Sequence, residues 1–402
     1  MEFLRRLRPG WILQWVVSVP IRALRPFLVI RLVRFHTPYG FMLRCPFYYL
    51  LRREEEQKAT KRYLDIVFWS GPTPNVEFAS FWRRHMFLLP EFLHRFLWKP
   101  LHVVAWYWQR NDVMRAHTID YRLADNWSSN RINADVYNAA TLIRNEDSVK
   151  LQTCLEHLGV SAETPIALIH VRNAYHDLQS QTLESYDVHC VSADPKKFQQ
   201  AVDWLIGKGF AVLTVGNHPS SPSGLKGVVE YHKSPQRSAL LDFMVGSKSR
   251  LYLGTAAGAL SAVAFHFRLP AVLTNHLLWG SEMFVEMFSY GRAVFLLKNV
   301  WVDGQELSQS EIMESNLSSS DKALRERGVT LRENSSQDIL DALQEVMALG
   351  TSPEAWNQAR QGQEQSAFWE VFDAHTRLDR VCKQDGAVIS PSFLRRNPHW
   401  LR

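Results

Sequence analysis

Short apolar runs alternate with stretches whose apolar residues recur at helical spacing, and this alternation is the main structural signal of the chain. The run at 166–169 (Ile166, Ala167, Leu168, Ile169) is apolar throughout and stops at His170, Val171, Arg172 and Asn173. It reads as a strand buried on both faces of a parallel sheet, its polar carboxyl end meeting either a ligand or solvent. Residues 29–35 and 63–69 read as two earlier strands, the second closed by Ser70, Gly71 and Pro72. Between them Tyr39-Gly40-Phe41 suits a tight turn, and 52–61 a solvated helix face of mixed charge. Residues 75–89 carry helical spacing, and Asn75 stands at the mouth of that helix as an N-cap or a site residue. The aromatics of 85–108 either fill a core or face an acceptor or a membrane. The polar stretch 111–143, with Asp120, Tyr121, Arg122, Asp125, Asn126 and Trp127, reads as a long loop region.

From residue 147 the pattern is regular. A helix over 147–158 ends at Gly159 and leads into the strand at 166–169. Asp194-Pro195 opens a helix with Phe198, Ala201, Val202, Leu205 and Ile206 on one face. Strands follow at 210–215, stopping at Gly216-Asn217, and at 228–231, with a helix over 238–245. A strand at 251–253 runs into GTAAGALSAVAF, and another at 271–274 ends at Asn275. Strand and helix in alternation imply an α/β fold with a doubly wound parallel sheet. Beyond Asp303 the chain turns polar, with a helix over 338–349 and a last fifty residues that wrap back over the body.

At 402 residues there is room for two ordinary domains, and 46% hydrophobic with 21% charged residues excludes a disordered chain. Cys45, Cys154, Cys190 and Cys382 lie far apart with no CxxC pair, which fits a reducing compartment and argues against a zinc or disulfide framework. Sequons at Asn126, Asn316 and Asn334 carry no meaning in such a compartment. The net charge of +6 is concentrated at the front, where Arg5, Arg6, Arg8, Arg22, Arg25, Arg31 and Arg34 face the single acid Glu2. That segment lacks a signal-peptide cleavage site, and its apolar run at 11–21 falls short of the roughly 20 residues that span a bilayer. Interleaved Arg, Trp, Phe and Leu suit a helix lying on an anionic membrane surface, or else a helix packed on its own domain. No nucleic-acid recognition module follows this arm.

Three strand ends carry candidate chemistry: His170-Val171-Arg172, Gly216-Asn217, and Gly254-Thr255-Ala256-Ala257-Gly258. A strand, then small residues, then a helix from about 259 would offer backbone N–H groups to an anion, and a neighbouring Arg172 would add a forked cation for a diphosphate. The same turn could be small for packing alone, and it is neither a Walker nor a dinucleotide fingerprint. His176 beside Asp177 reads as a base that activates a hydroxyl, or as a detail of the loop. Asp187 and His189-Cys190 lack the further partners a metal would need.

These residues resemble a group of bacterial glycosyltransferases of the two-Rossmann GT-B type. The matching stretches are IHVR (169–172), LGTAAG (253–258) with LPAVLTN (269–275), GVTLRENSSQDILDAL (328–343), ISPSFLRRNPHWL (389–401) and the Asn75…Trp82-Arg83-Arg84 segment. The His-x-Arg strand end is similar to the donor motif of fucosyltransferases, whose Arg binds the diphosphate of a GDP-sugar. The resemblance implies a GT-B-like fold with two Rossmann-type domains facing a cleft: a basic segment at 1–28, an acceptor domain at 29–160, a nucleotide-sugar domain at 161–350 and a C-terminal part at 351–402. It implies transfer of a sugar from a nucleotide-diphosphate donor, GDP-linked by analogy, to a membrane-linked or cell-envelope glycan at the cytoplasmic face, without a metal or other cofactor. His170, Arg172, Gly216, Asn217, Gly254, Thr255, Ala256, Gly258 and Asn275 would lie around the donor. His176 and Asp177 would serve catalysis, and Gly40, Asn75 and Arg83 would lie toward the acceptor or the cleft. The chain departs from the group's pattern at Asn173-Ala174 (an acid and a Ser there), Ala256-Ala257 (Asp-Ser) and Gly40-Phe41 (Gly-His). Those departures carry a second reading, a catalytically inactive GT-B-like relative at the membrane that binds a nucleotide-sugar or a partner enzyme as a scaffold. An epimerase of the same architecture would need neither the membrane arm nor an acceptor.

Overall fold

The computed structural model describes residues 29–35, 63–69, 75–109, 118–120, 139–172, 192–215, 224–255, 266–277, 292–315, 326–375 and 387–402. It also describes Val19, Ala23, Cys45, Pro46, Tyr49, Leu50, Arg52, Arg53, Gly71, Val263, Ala264, Leu317 and Leu324. The chain divides into two units, Met1–Tyr137 and Asn138–Arg402. The division falls before the expected boundary at 160, so the helix that precedes the strand at 166 belongs to the second unit. Among the described residues no helix is long and apolar enough to cross a membrane. The basic segment at 1–28 lies outside them, apart from Val19 and Ala23.

Unit 1 is built on a parallel sheet in the order β2-β1-β3, with β1 at Val29–Phe35, β2 at Tyr63–Trp69 and β3 at Thr118–Asp120. A parallel bridge from Val67 to Leu88 adds a position beyond β2. Helix α1, Val76–Arg83, is opened by Asn75, whose side chain accepts the Phe78 N–H at 3.1 Å. It ends six residues earlier than its spacing suggested, because Leu88 is drawn into the sheet. The aromatic stretch that follows is a single helix, α2, at Glu91–Gln109. Its Val104, Ala105 and Trp108 bury themselves against Leu32, Phe68 and Leu89. The stretch expected to be loop contains β3 and a short 3-10 turn at Ala139–Leu142.

One charge pair sits inside this sheet. Arg31 on β1 stands beside Asp65 on β2, and the guanidinium donates to both carboxylate oxygens at 2.6 and 2.8 Å. Tyr49 donates its hydroxyl to the same carboxylate at 2.8 Å, and the Tyr63 ring lies 4.0 Å from the guanidinium carbon. Burial, and then the Asp65 charge, push the Tyr49 hydroxyl upward, so it stays a donor. Burying a charge pair is tolerated when its geometry is bidentate and further hydrogen bonds serve it, as the Tyr49 hydroxyl does here.

Unit 2 is α/β. Its parallel sheet has six strands in the order β12-β8-β7-β6-β4-β5, compatible with a Rossmann-like fold. Their ranges are β4 Ile166–His170, β5 Ala211–Thr214, β6 Ser249–Thr255, β7 Ala271–His276, β8 Ala293–Leu297 and β12 Val388–Ile389. The strand expected at 228–231 is reduced to a parallel bridge between Leu213 and Val229, outside β5. A small antiparallel sheet, in the order β10-β9-β11, is formed by β9 (Asn299–Val302), β10 (Gln305–Glu306) and β11 (Val329–Arg332). Asp303 and Gly304 join its hairpin, both at positive φ.

Helices with described bounds in unit 2 include α3 Asn145–His157, α4 Gln199–Gly207, α5 Ala239–Met244, α6 Gln309–Glu314, α7 Ser336–Leu349, α8 Pro353–Arg360, α9 Gln363–His375 and α10 Pro391–Arg396. Helix α4 packs on β5 and α7 on β7 and β8, and the two helices touch, so they cover the same face. Side-chain caps open several of them: Asp194 before the turn leading into α4, Ser238 before α5, and Ser335 with Asp338 in a reciprocal box before α7. The C-terminal part joins the sheet through β12. Gln365 of α9 holds Ile389 through its N–H and C=O, and Arg396 of α10 binds both Asp338 and Asp341 of α7.

Asp65→Ala removes the carboxylate facing the buried Arg31 guanidinium and should lower the unfolding free energy by about 3–5 kcal/mol. Urea denaturation measures this. A loss under about 1 kcal/mol would mean that the pair behaves like one on the surface.

Candidate functional site

In the large sheet the chain leaves β4 for β5 and the Val229 bridge on one side, then crosses back to β6 on the other. The order therefore reverses between β4 and β6. In open α/β sheets the carboxyl ends of the two strands at such a point splay their following loops apart and leave a crevice for a ligand. These are the ends that carry His170-Val171-Arg172 and Gly254-Thr255.

The pairing register sets His170 beside Gly254. A Cβ built at Gly254 would stand 2.2 Å from the His170 carbonyl oxygen, which is backbone and cannot swing away. Glycine here serves strand approach and not turn formation. Thr255 follows, fully buried, and its Oγ1 accepts the Arg172 N–H at 3.0 Å. The Arg172 carbonyl accepts the Ala193 N–H at 2.8 Å. Lys298, buried just after β8, donates its Nζ to the Ser192 carbonyl at 2.8 Å. The backbone of the Arg172 cation is thus held from both sides, by β6 and by a segment that Lys298 ties down.

The next strand end is closed by two amides. The Asn275 N–H donates to Asn334 Oδ1 at 2.6 Å, and the Asn334 N–H donates back to Asn275 Oδ1 at 2.9 Å. Asn334 Nδ2 also reaches the Leu297 carbonyl at 2.7 Å, and Asn275 Nδ2 lies 3.4 Å from Thr274 Oγ1. Asn275 adopts positive φ, 57°, which asparagine tolerates. Its polar atoms are engaged in this clasp, which links the end of β7 to the loop before α7. Burial lowers the neighbouring His276 to about 4, so that imidazole is neutral at physiological pH.

The structure brings His170, Arg172, Gly254 and Thr255 together at the point of reversal, with Asn275 one strand further. Asn75 and Arg83 belong to unit 1, where Asn75 caps α1 and Arg83 Nη2 lies 3.2 Å from Glu91 Oε2. His176, Asp177, Gly216, Asn217, Ala256, Gly258 and Gly40 lie outside the described residues, as does the start of the helix after β6. Asn334 and Lys298 are contributors that sequence reasoning passed over. Asn334 stands in a sequon and in the 328–343 stretch without being a site candidate, yet it is 3% exposed. A scan of protein-family models and a search of curated proteins return no match to this chain. Three of the stretches that carry the resemblance are joined physically: 269–275 meets 328–343 in the Asn275–Asn334 clasp, and 389–401 meets it through Arg396.

Gly254→Ala should cost about 1–3 kcal/mol, because the added carbon drives β4 and β6 apart. Asn334→Ala should cost more, about 1–3 kcal/mol for each of the two buried groups it leaves without that bond, the Asn275 N–H and the Leu297 carbonyl. Chemical denaturation of the two variants checks both values. A neutral Gly254→Ala would show that β6 can shift freely.

Proposed function

We propose that the chain is a glycosyltransferase of GT-B type, with two Rossmann-type units, that takes its nucleotide-sugar at the β4/β6 switch point of unit 2. The observation that carries this reading is the meeting there of Arg172 and Thr255, with the arginine backbone bonded to the threonine hydroxyl. A guanidinium can fork two diphosphate oxygens and keeps its charge at any physiological pH. Negative charge grows on the leaving diphosphate as the sugar–oxygen bond breaks, so a cation fixed in advance favours the transition state over the bound donor. His176, next to Asp177, is the candidate for accepting the proton of the acceptor hydroxyl.

The opening topology of unit 1 supports a pair of like units. There too the first strand is central, the chain steps outward through β2 and Leu88, and β3 lies on the opposite side. In this reading unit 1 takes the acceptor, a cell-envelope or membrane-linked glycan, at the cytoplasmic face of the membrane. The donor is a nucleoside-diphosphate sugar, GDP-linked by the fucosyltransferase-like motif, and the cation role falls to Arg172 without a metal. Asn173-Ala174, Phe41 and Ala256-Ala257 favour the second reading, a scaffold that binds the nucleotide-sugar without turning it over.

A thermal-shift panel of GDP, UDP, ADP and CDP on wild type and Arg172→Ala tests the donor site. One nucleotide should stabilise the wild type, by about 2.7 kcal/mol at a hundredfold excess over its dissociation constant, and not the variant. Silence across the panel would sink both readings. Binding with no release of nucleotide from the matching sugar donor, across candidate acceptors, would leave the scaffold.

A further inference from the structure

We propose that the outward face of α2 in unit 1 is a docking surface for an anionic phospholipid bilayer. The proposal is independent of the nucleotide reading of unit 2. It also goes beyond the arm at 1–28, because it places membrane contact on the folded unit itself.

One side of α2 is committed to the core through His94, Val104, Ala105 and Trp108. The opposite side should be polar on a water-facing helix, and it is not. Phe92 (65% exposed), Phe96 (79%), Val103 and Trp106 follow one another at helical spacing along the outward line, with Leu93 and Leu97 beside them. Phe87, in the turn before α2, is 66% exposed. The stripe covers residues 92–106 of the 19-residue helix, roughly 21 Å. It is a ridge and not a groove, which suits a flat, yielding apolar phase better than a bound peptide.

Charge selects the kind of surface. Arg95 lies on one flank of the stripe, Lys99 falls within its line between Phe96 and Val103, and Arg83 and Arg84 lie at the end of α1. The single acid of α2, Glu91, already faces Arg83 at 3.2 Å and Arg95 at 3.6 Å. With the phenylalanines among acyl chains, Lys99 and Arg95 can extend to lipid phosphates, and the Trp106 indole suits the headgroup level. A second copy packed antiparallel on the stripe would bring two such basic flanks together, which argues against that pairing.

The test uses the full chain in co-sedimentation with vesicles of phosphatidylcholine alone, or of an equal mixture with phosphatidylglycerol. Wild type should bind the mixed vesicles. Phe92→Ser with Phe96→Ser should weaken binding by about tenfold or more, the change expected from losing one buried aromatic side chain. Arg95→Glu with Lys99→Glu, the second variant, should weaken binding to the mixed vesicles and flatten its salt dependence. The phenylalanines are exposed, so that variant should melt as wild type does, and the charge variant, which loses the exposed Arg95–Glu91 pair, should melt only slightly lower. The proposal is overturned if wild type binds neither vesicle, or if either folded variant binds the mixed vesicles as wild type does. It is equally overturned if sedimentation equilibrium finds a dimer that the phenylalanine variant dissolves, which would give the face to a second copy.

Discussion

The approach of β4 to β6 leaves no room for a side chain at position 254, and the candidate site depends on that closeness. With hydrogen as its side chain, Gly254 lets the His170 carbonyl pass within a distance no Cβ could allow. Thr255 then arrives where its hydroxyl can take the Arg172 N–H. Both strands are buried on their two faces, so neither can bow outward to relieve a larger residue. A tolerance at one backbone position therefore decides where the Arg172 backbone stands on the adjoining strand end. In unit 1 a neighbouring strand pair meets a different constraint, two buried charges, by matching them in register.

Around this point the polar groups at the carboxyl ends of the strands are largely laced to one another. Lys298 holds Ser192, Ala193 holds Arg172, and Asn334 holds both Asn275 and Leu297. Each bond contributes little net stability, yet leaving its partner buried and unmet costs more, so the lacing is hard to loosen one member at a time. Held this way, the strand ends form a frame whose backbone is set by bonds from more than one direction.

Much of that frame was legible in the chain itself. The largely apolar runs matched β1, β2 and β4 almost to the residue, and Asn75 and Asp194-Pro195 marked where a helix and a helical turn begin. Val302-Asp303-Gly304-Gln305 carried an equally local hairpin signal, a two-residue turn with both φ positive, and it passed unread. Other features are not local. Val388 and Ile389 are too few to mark a strand, and only the waiting edge of β8 makes them one. The aromatic stretch of α2 is apolar on both sides, so its spacing could not say which side faces the core. Asn275 was read toward a ligand because its partner, Asn334, lies 59 positions later.

The place of β12 in the order of the sheet has a bearing on synthesis. Until Val388 and Ile389 emerge from the ribosome, the edge of β8, a strand buried along its whole length in the finished fold, has no neighbour. At ~5–20 residues per second the wait between the two strands is on the order of ten seconds. During that time an apolar edge is open to pairing with another nascent chain. The pair of residues that closes the sheet acts as a late seal, and a ribosome stalling between β8 and β12 would leave the product prone to aggregate although most of its fold is already encoded.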